Sequence, residues 1–210
     1  MFITIEGGEG AGKSSLIKLL APYLEEKFKR EVVVTREPGG IEIAEEIRSV
    51  ILDVKNTAMD GKTEALLYAA ARRQHLVEKV LPALAAEKIV ICDRFVDSSL
   101  AYQGKARDLG MEEVWQINEF AIGTLMPELT LYLDIEPELG LKRIAENRAD
   151  EINRLDNEKI EFHNLVRAGF LELLAKFPER IKKVDASLDL ENVFKQTTEI
   201  IDETNFNHHS

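Results

Sequence analysis

The sequence predicts an α/β protein in which a five-stranded parallel sheet lies between two layers of helices, a three-layer α/β/α sandwich. Two observations indicate this fold class. Short segments that are apolar on both faces alternate with longer segments whose apolar residues recur at helical spacing. Strands of that kind are typical of parallel sheets covered by helices on both sides. The 210 residues suit one domain, which we place at residues 1–204, with a frayed tail at residues 205–210.

The predicted elements alternate along the chain. Buried strands are predicted where short apolar runs occur, at residues 2–6, 31–36, 89–92, 129–135 and 181–184. Helices are predicted where apolar residues are three or four apart, at residues 12–28, 41–54, 63–87, 111–125, 138–146 and 157–176. The second strand contains three consecutive valines, a β-branched run too short for a helix. Parallel neighbours joined through helices require right-handed crossovers.

Composition excludes several kinds of partner. Lys and Arg total 27 against 38 Asp and Glu, a net charge of −11, whereas nucleic-acid-binding proteins usually carry excess basic charge. No segment approaches the roughly 20 consecutive apolar residues of a membrane span, and the N-terminus does not resemble a secretory signal. The single cysteine, Cys92, favours a reducing compartment. We therefore expect a cytoplasmic protein that binds neither nucleic acid nor membrane.

A phosphate-binding loop is predicted at the first strand-to-helix turn. The pattern G-x-x-x-x-G-K-[ST] is matched by Gly7, Gly8, Glu9, Gly10, Ala11, Gly12, Lys13 and Ser14. Glycines let backbone N–H groups surround a phosphate, and the helix N-terminus adds partial positive charge. Lys13 is expected to reach the β- and γ-phosphates of ATP and Ser14 to bind Mg²⁺, and Ser15 is predicted to belong to the ATP site. The loop indicates a fold of the P-loop NTPase type.

Three classes of P-loop protein are compatible with this motif. A GTPase switch would carry an N-K-x-D stretch, which this sequence lacks. Motor and transport ATPases normally have longer chains. A kinase acting on nucleotides or nucleosides fits the length best.

Charged residues follow two of the predicted strands. Arg36 ends the second strand, and Asp93 and Arg94 follow the third. Because ligands of open α/β sheets bind beyond the carboxyl ends of strands, these side chains are expected beside the phosphate loop. Two arginines at two strand ends favour phosphate binding over unrelated surface ion pairs.

Four motifs in order resemble the bacterial thymidylate (dTMP) kinases. They are TREPGG at residues 35–40, TEALLYAAARR at residues 63–73, DRF at residues 93–95 and SSLAYQG at residues 98–104. The similarity extends from the phosphate loop to residues 184–186. It implies Mg²⁺-dependent transfer of the γ-phosphoryl group of ATP to dTMP, giving dTDP and ADP, in a homodimer. The helix at residues 63–84 is apolar over more than one stripe, which indicates either deep burial or a subunit interface.

The resemblance assigns roles to individual residues. Arg36 and Arg94 hold the dTMP phosphate, and Asp93 holds Mg²⁺ through water. Further dTMP contacts are assigned to Glu37, Pro38, Arg48, Tyr68, Arg72, Ser99, Tyr102 and Gln103. Among these, Tyr68 stacks on the base and Arg72 bonds its edge, Ser99 and Gln103 recognise thymine, and Tyr102 disfavours a ribose. Phe95 stands where the family usually has Tyr or His.

Residues 143–156 form an arginine-bearing segment without helical apolar periodicity. Composition alone favours an exposed connection, whereas the resemblance implies a lid that closes over ATP. Glu9 supports the lid, because bacterial members carry no arginine in the phosphate loop. Arg154 matches the catalytic lid arginine best, with Arg143 and Arg148 as partners at the ATP site.

The expected chemistry depends on charge, not on a general base. A phosphate monoester has a second pKa of about 6, so the acceptor oxygen is already largely unprotonated at neutral pH. The residues expected to act in catalysis are therefore Lys13, Arg36, Asp93, Arg94 and Arg154. Glu9 and Glu37 keep a deoxynucleoside kinase open as an alternative, because a hydroxyl acceptor favours a carboxylate base. An ATP-dependent switch without an acceptor is a third possibility.

Overall fold

Five parallel strands form one sheet in the computed structural model, which describes residues 1–147, 154–155, 158–204 and 206. The strands are β1 (Phe2–Gly7), β2 (Val32–Arg36), β3 (Ile89–Asp93), β4 (Leu129–Asp134) and β5 (Ile181–Asp185). Their spatial order is β2-β3-β1-β4-β5, so the strand that leads into the phosphate loop lies at the centre. The predicted parallel sheet is confirmed.

Helices cover both faces of this sheet. They are α1 (Lys13–Phe28), α2 (Glu42–Leu52), α3 (Gly61–His75), α4 (Leu81–Ala85), α5 (Val96–Ser99), α6 (Met111–Ile122), α7 (Pro137–Asn147), α8 (Ile160–Lys176) and α9 (Leu190–Glu203). Two π-helical segments, Leu76–Val80 and Leu100–Ala106, continue α3 and α5. No helix in the described part of the chain is both long and apolar enough to cross a membrane.

The alternation of side chains along β1 explains the three layers. Ile3 and Ile5 point into a core with α1 and α9, whereas Phe2 points into a second core with α6 and the end of α3. Helix α8 packs with the 100–106 segment in a third cluster around Tyr132. Full burial of each large apolar side chain contributes about 1.5–3 kcal/mol, so both faces of the sheet stabilise the fold.

Two helical regions are absent from the sequence prediction. One is the run from α5 through residues 100–106. The other is α9, although its sequence carries a helical signal: the Asp189 carboxylate accepts a hydrogen bond from the Asn192 backbone N–H, and Val193, Thr197 and Ile201 are buried at intervals of four.

Several predicted boundaries shift by a few residues. The helix predicted at residues 41–54 ends at Leu52, and the one predicted at residues 111–125 ends at Ile122, before Gly123 with φ +62°. Helix α8 begins at Ile160, and residue 157 lies outside the described residues. In the tail at residues 205–210 the structure describes only Phe206, whose ring meets Phe28 edge-on at 5.8 Å.

Candidate active site

The turn between β1 and α1 has the backbone of a phosphate-binding loop. Gly10 and Gly12 have φ values of +71° and +85°, a region that side chains disfavour. A Cβ on Gly10 would also clash with the backbone of Gly140 in α7. The loop conformation therefore depends on glycine at both positions and packs closely against α7.

Lys13 lies at the mouth of this loop. Its Nζ donates long hydrogen bonds of 3.3 Å to the backbone oxygens of Gly7 and Gly8. Burial, followed by the charge of Arg94, lowers the pKa of Lys13 from its ordinary value. The hydroxyl-bearing Ser14 and Ser15 are exposed in the first turn of α1. The predicted ATP-site residues 7–15 therefore lie together at the turn from β1 into α1, with Gly7 and Ala11 buried and Ser14 and Ser15 exposed.

The ends of β2 and β3 lie side by side, because Arg36 and Asp93 are register partners. Asp93 also pairs with Ile5, next to the start of the phosphate loop. Its Oδ1 is buried and accepts no hydrogen bond from the residues that the structure describes. A buried carboxylate oxygen without a partner is costly, so Asp93 is suited to a cation or its bound water.

Arg94 connects the loop with the neighbouring pocket. Its Nη1 donates to the Gly7 backbone oxygen at 2.8 Å and to Ser98 Oγ at 3.3 Å. Its guanidinium lies 5.0 Å from the centre of the Tyr102 ring. Arg94 has a φ of +69°, which costs a non-glycine residue about 1–3 kcal/mol. Its contacts with Gly7 and with Tyr102 place the side chain between the two regions.

Glu9 neutralises part of this positive charge. Its Oε1 accepts 2.8 Å hydrogen bonds from Arg94 Nη2 and from the Tyr102 hydroxyl. Burial alone would raise the pKa of Glu9, but the charges of Arg94 and Lys13 outweigh it and lower the pKa to about 2. Glu9 is therefore ionised at neutral pH and accepts hydrogen bonds from both neighbours.

Arg36 and Arg48 lie at the outer edge of the same region. The side chain of Arg36 is 51% exposed and pairs with Glu45 at 2.7 Å. Arg48 Nη1 donates to the Pro38 backbone oxygen at 2.9 Å. Burial, followed by the charge of Arg36, lowers the pKa of Arg48. An anion bound between these guanidinium groups would relieve their mutual repulsion.

A pocket opens beside Arg94, on the side away from the phosphate loop. It is lined by Glu37, Tyr68, Arg72, Arg94, Phe95, Ser98, Ser99, Tyr102, Gln103 and Leu155. Seven of the residues predicted to bind dTMP are in this lining. The other three lie outside this lining: Arg36 ends β2, Pro38 is in the β2–α2 connection, and Arg48 in α2 donates to the Pro38 backbone oxygen.

Arg72 is fixed at the base of the pocket, with its side chain 2% exposed. Its Nε donates to Glu37 at 2.6 Å, its Nη1 donates to Ser99 Oγ at 3.1 Å and to Asn118, and its Nη2 donates to the Phe95 backbone oxygen at 3.1 Å. A guanidinium has five N–H groups, so one on Nη2 is left without a partner among the described residues. That N–H can serve a ligand in the pocket.

Glu37 contacts Arg72 with one carboxylate oxygen and a second buried side chain with the other. Its second oxygen lies 2.9 Å from His75 Nδ1, and His75 Nε2 lies 2.7 Å from Thr35 Oγ1. Atoms of Glu37, His75 and Cys92 that could bind a metal ion lie within 4.8 Å of one another. Because the Glu37 and His75 atoms already have hydrogen-bond partners, we assign this group to the polar core and not to a metal.

The predicted lid arginines are separated in space. Arg143 donates to the backbone oxygens of Ala186 and Ser187 at 2.8 and 3.0 Å, in the turn after β5. Arg154 donates from Nε to the Ile51 backbone oxygen at 2.9 Å and from Nη2 to Glu64. These Arg154 contacts belong to α2 and α3, not to the phosphate loop. Arg148 lies outside the described residues.

Sequence reasoning missed several residues of the pocket. Leu155 contributes to its lining, and His75 and Asn118 support its polar wall. Glu64 is buried next to it. A signal for Glu64 exists, since Glu64, Tyr68 and Arg72 are each four apart and share one face of α3.

Comparisons with known proteins give a consistent result. A sequence profile described as Thymidylate kinase matches residues 5–197. The thymidylate kinase of Bacillus licheniformis is 60% identical over 97% of this chain and 95% of its own length. That of Clostridium novyi is 58% identical, covering 93% and 95%. The crystal structure of thymidylate kinase from Ehrlichia chaffeensis superposes with a TM-score of 0.77 at 33% identity, covering 96% of this chain and 98% of that one.

Proposed function

This chain belongs to the thymidylate kinase family, whose members phosphorylate dTMP to dTDP, and we propose that it transfers the γ-phosphoryl group of ATP to dTMP between the phosphate loop and the pocket beside α3. One observation supports placing the reaction between the phosphate loop and the pocket. Arg94 bonds the loop through Gly7 and Glu9, and it also lies against Tyr102 in the pocket wall. A phosphoryl group passing between the two binding regions would pass this guanidinium.

Electrostatics is the main barrier to this reaction. ATP brings about four negative charges and dTMP about two, so the two phosphate ends repel each other. Lys13 faces the donor phosphates, whereas Arg36 and Arg94 face the acceptor phosphate. An acceptor oxygen attacks the γ-phosphorus while the bond to the β–γ bridging oxygen breaks and ADP leaves. The protein contributes alignment and charge stabilisation, without a general base.

The pocket supplies complementary contacts for the nucleoside. The Tyr68 ring offers a stacking surface, and the remaining N–H of Arg72 suits the C4 carbonyl of thymine. Ser99 and Gln103 line the same pocket and can contact the polar edge of the base. The buried Tyr102 ring limits the space near the sugar. Glu37 orients Arg72, and Arg48 supports the β2–α2 connection through Pro38.

The residues at the strand ends fit a hydrated Mg²⁺. Asp93 offers a buried carboxylate oxygen that lacks a hydrogen-bond partner in the described part of the chain, and Ser14 offers an exposed hydroxyl at the start of α1. We infer that Ser14 binds the ion directly and Asp93 holds it through water. When bound, Mg²⁺ neutralises charge on the phosphates of ATP.

We also propose a single kinase domain over residues 1–204 in the cytoplasm. One sheet and its helical layers extend from Phe2 to Ile201, which supports the single domain. Both nucleotides are available in the cytoplasm, and Cys92 is a buried free thiol suited to reducing conditions.

Exposed apolar residues support a homodimer. Phe120 on α6 is 93% exposed and Leu66 on α3 is 55% exposed, and these two helices pack against each other. A second copy would cover such side chains. Light scattering at micromolar concentration is expected to give twice the mass of the chain; a monomer mass would exclude the dimer.

Comparison of dTMP with thymidine as acceptor tests the proposed function. With ATP and Mg²⁺, ADP release is expected with dTMP and not with thymidine. A deoxynucleoside kinase would give the reverse result. An ATP-dependent switch would hydrolyse ATP slowly with either compound.

A further inference from the structure

Glu64 is a buried carboxylate to which the proposed function gives no role. It lies in the first turn of α3 with its side chain 1% exposed. Its Oε1 accepts a 2.8 Å hydrogen bond from Gln103 Nε2. Arg107 donates to both carboxylate oxygens at 3.4 Å, and Arg154 Nη2 donates to Oε2. One carboxylate thus joins three separate parts of the chain at the edge of the pocket.

The two arginines keep this carboxylate charged. Burial alone would raise the pKa of Glu64, but the hydrogen bond from Arg154 and the charge of Arg107 outweigh it and lower the pKa. An ionised carboxylate can only accept hydrogen bonds. Gln103 must therefore turn its NH₂ group, and not its carbonyl oxygen, toward Glu64.

This orientation determines what Gln103 presents to a ligand. The side chain is buried and lines the pocket, and its Oε1 accepts no hydrogen bond from any described residue. A buried acceptor without a partner is unfavourable, so the pocket favours a ligand with an N–H donor at this point. Arg72 lines the same pocket, and its Nη2 keeps one N–H without a partner among the residues that the structure describes, which favours an acceptor.

We propose that Glu64 is a positioning residue that fixes the Gln103 carbonyl toward the pocket and thereby selects pyrimidines with an N3–H donor. The inference rests on the proposed function, because it specifies how the acceptor base is recognised. Thymine and uracil present an N3–H beside a C4 carbonyl, which match the Gln103 acceptor and the Arg72 donor. Cytosine presents the opposite pattern, an N3 acceptor beside a C4 amino group.

The variant Glu64→Gln tests this role with little change in volume. A neutral amide at position 64 can donate as well as accept, so the Gln103 amide can rotate and present its NH₂ group to the pocket. The ratio of kcat/KM for dTMP to kcat/KM for dCMP is expected to fall about tenfold or more. A purely structural role for Glu64 would lower both kcat/KM values equally. An unchanged ratio in a folded variant would therefore overturn the proposal. Thermal melting and the KM for ATP report whether the variant is folded.

Glu158→Gln provides a matched control from the same cluster. Glu158 pairs with Arg107 at 2.6 Å, so this variant also removes one carboxylate, but it leaves the contact between Glu64 and Gln103 in place. Its dTMP-to-dCMP ratio is expected to match the parent. A fall as large as that of Glu64→Gln would show that general loosening of the cluster, not the orientation of Gln103, alters selectivity.

A binding measurement on the unmodified protein covers the case in which Glu64→Gln does not fold. N3-methyl-dTMP lacks the N3–H donor and is expected to bind about tenfold or more weakly than dTMP. Equal affinity would overturn the proposal. Turnover of dTMP by the parent protein is measured first, so failure of the proposed function appears as an inactive parent. Failure of this inference appears as an active parent with unaltered selectivity.

Discussion

Glu9 Oε1 lies 2.8 Å from Arg94 Nη2, so an ion pair joins the phosphate loop to the wall of the acceptor pocket. The same oxygen accepts a hydrogen bond from the Tyr102 hydroxyl. A carboxylate in the loop therefore holds both the arginine proposed to meet the transferred group and the ring proposed to limit the sugar.

Lys13→Ala is expected to lower kcat by at least about a hundredfold, because it removes the charge that we propose faces the donor phosphates. The long bonds from Nζ to Gly7 and Gly8 contribute little to the fold, so the melting temperature should change little. Steady-state kinetics with dTMP and thermal melting measure the two effects. Lys18→Ala, at an exposed position on the same helix, serves as control and should retain full activity. A Lys13→Ala variant that keeps most of its kcat would refute the role of the loop.

Tyr102→Ala is expected to improve the use of a ribonucleotide relative to its deoxy counterpart. The buried ring packs near Phe162 and Phe170 and occupies space at the proposed sugar position. The measurement is the ratio of kcat/KM for UMP to kcat/KM for dUMP, which isolates the 2′-hydroxyl and should rise about tenfold. The truncation should also cost about 3–5 kcal/mol of stability.

Tyr102→Phe separates the ring from its hydroxyl. It keeps the packing surface but removes the hydrogen bond to Glu9. The ratio of UMP to dUMP should stay at the parent value, whereas kcat should fall because Glu9, which pairs with Arg94, loses one of its two hydrogen-bond donors. If both Tyr102 variants discriminate sugars like the parent, the ring does not limit the sugar.

The phosphate loop and the strand ends could be predicted because their chemistry is local in sequence. Eight adjacent residues form the loop, Asp93 directly follows an apolar run, and Arg36 ends a strand that contains three consecutive valines. Placement beyond parallel strands then brings them together without knowledge of strand order. Most of the pocket residues were predicted only from the resemblance to the thymidylate kinases, whose motifs occur in the same order along this chain.

The partners of these residues could not be predicted in the same way. Arg154 and Glu64 are 90 positions apart, and no periodicity links an arginine in a charged segment to a carboxylate in α3. Burial of Glu64 depends on how α3 packs against the 100–106 segment, which is a property of the tertiary structure. The same applies to Leu155, an isolated apolar residue in a charged stretch that nevertheless lines the pocket.

Arg154→Ala distinguishes the role implied by the resemblance from the one indicated by the contacts. The resemblance implies a transition-state arginine, whose loss would lower kcat far more than it weakens nucleotide binding. In the structure Arg154 bonds Ile51 and Glu64 beside the acceptor pocket. The geometry therefore predicts that KM for dTMP rises about tenfold while kcat changes less, since a buried charge pair is broken.

Arg143→Ala is the comparison for that experiment. Arg143 bonds the Ala186 and Ser187 backbone oxygens, away from the acceptor pocket, so KM for dTMP should stay constant while KM for ATP rises. A large loss of kcat in Arg154→Ala with an unaltered KM for dTMP would favour the catalytic lid arginine over the anchoring role.

Glu6 should make the stability of the protein depend on pH. Its carboxyl is fully buried on β1, where Oε1 accepts a 2.7 Å hydrogen bond from the Phe95 backbone N–H and Oε2 accepts one from Ser98. Burial, followed by the negative charge of Asp97, raises the pKa of Glu6 to about 8. The ordinary value of 4.5 applies to the unfolded chain. Between these values the folded protein binds a proton that the unfolded chain releases.

The free energy of unfolding therefore loses the contribution of Glu6 as pH rises from about 5 to about 8. Glu6→Gln, a neutral side chain of the same size, removes this titration and leaves other ionisable groups in place. Urea denaturation of both proteins across that range is expected to show the variant gaining stability relative to the parent as pH rises. A difference that stays constant between about pH 5 and about pH 8 would mean that folding does not raise the pKa of Glu6, and would contradict this prediction.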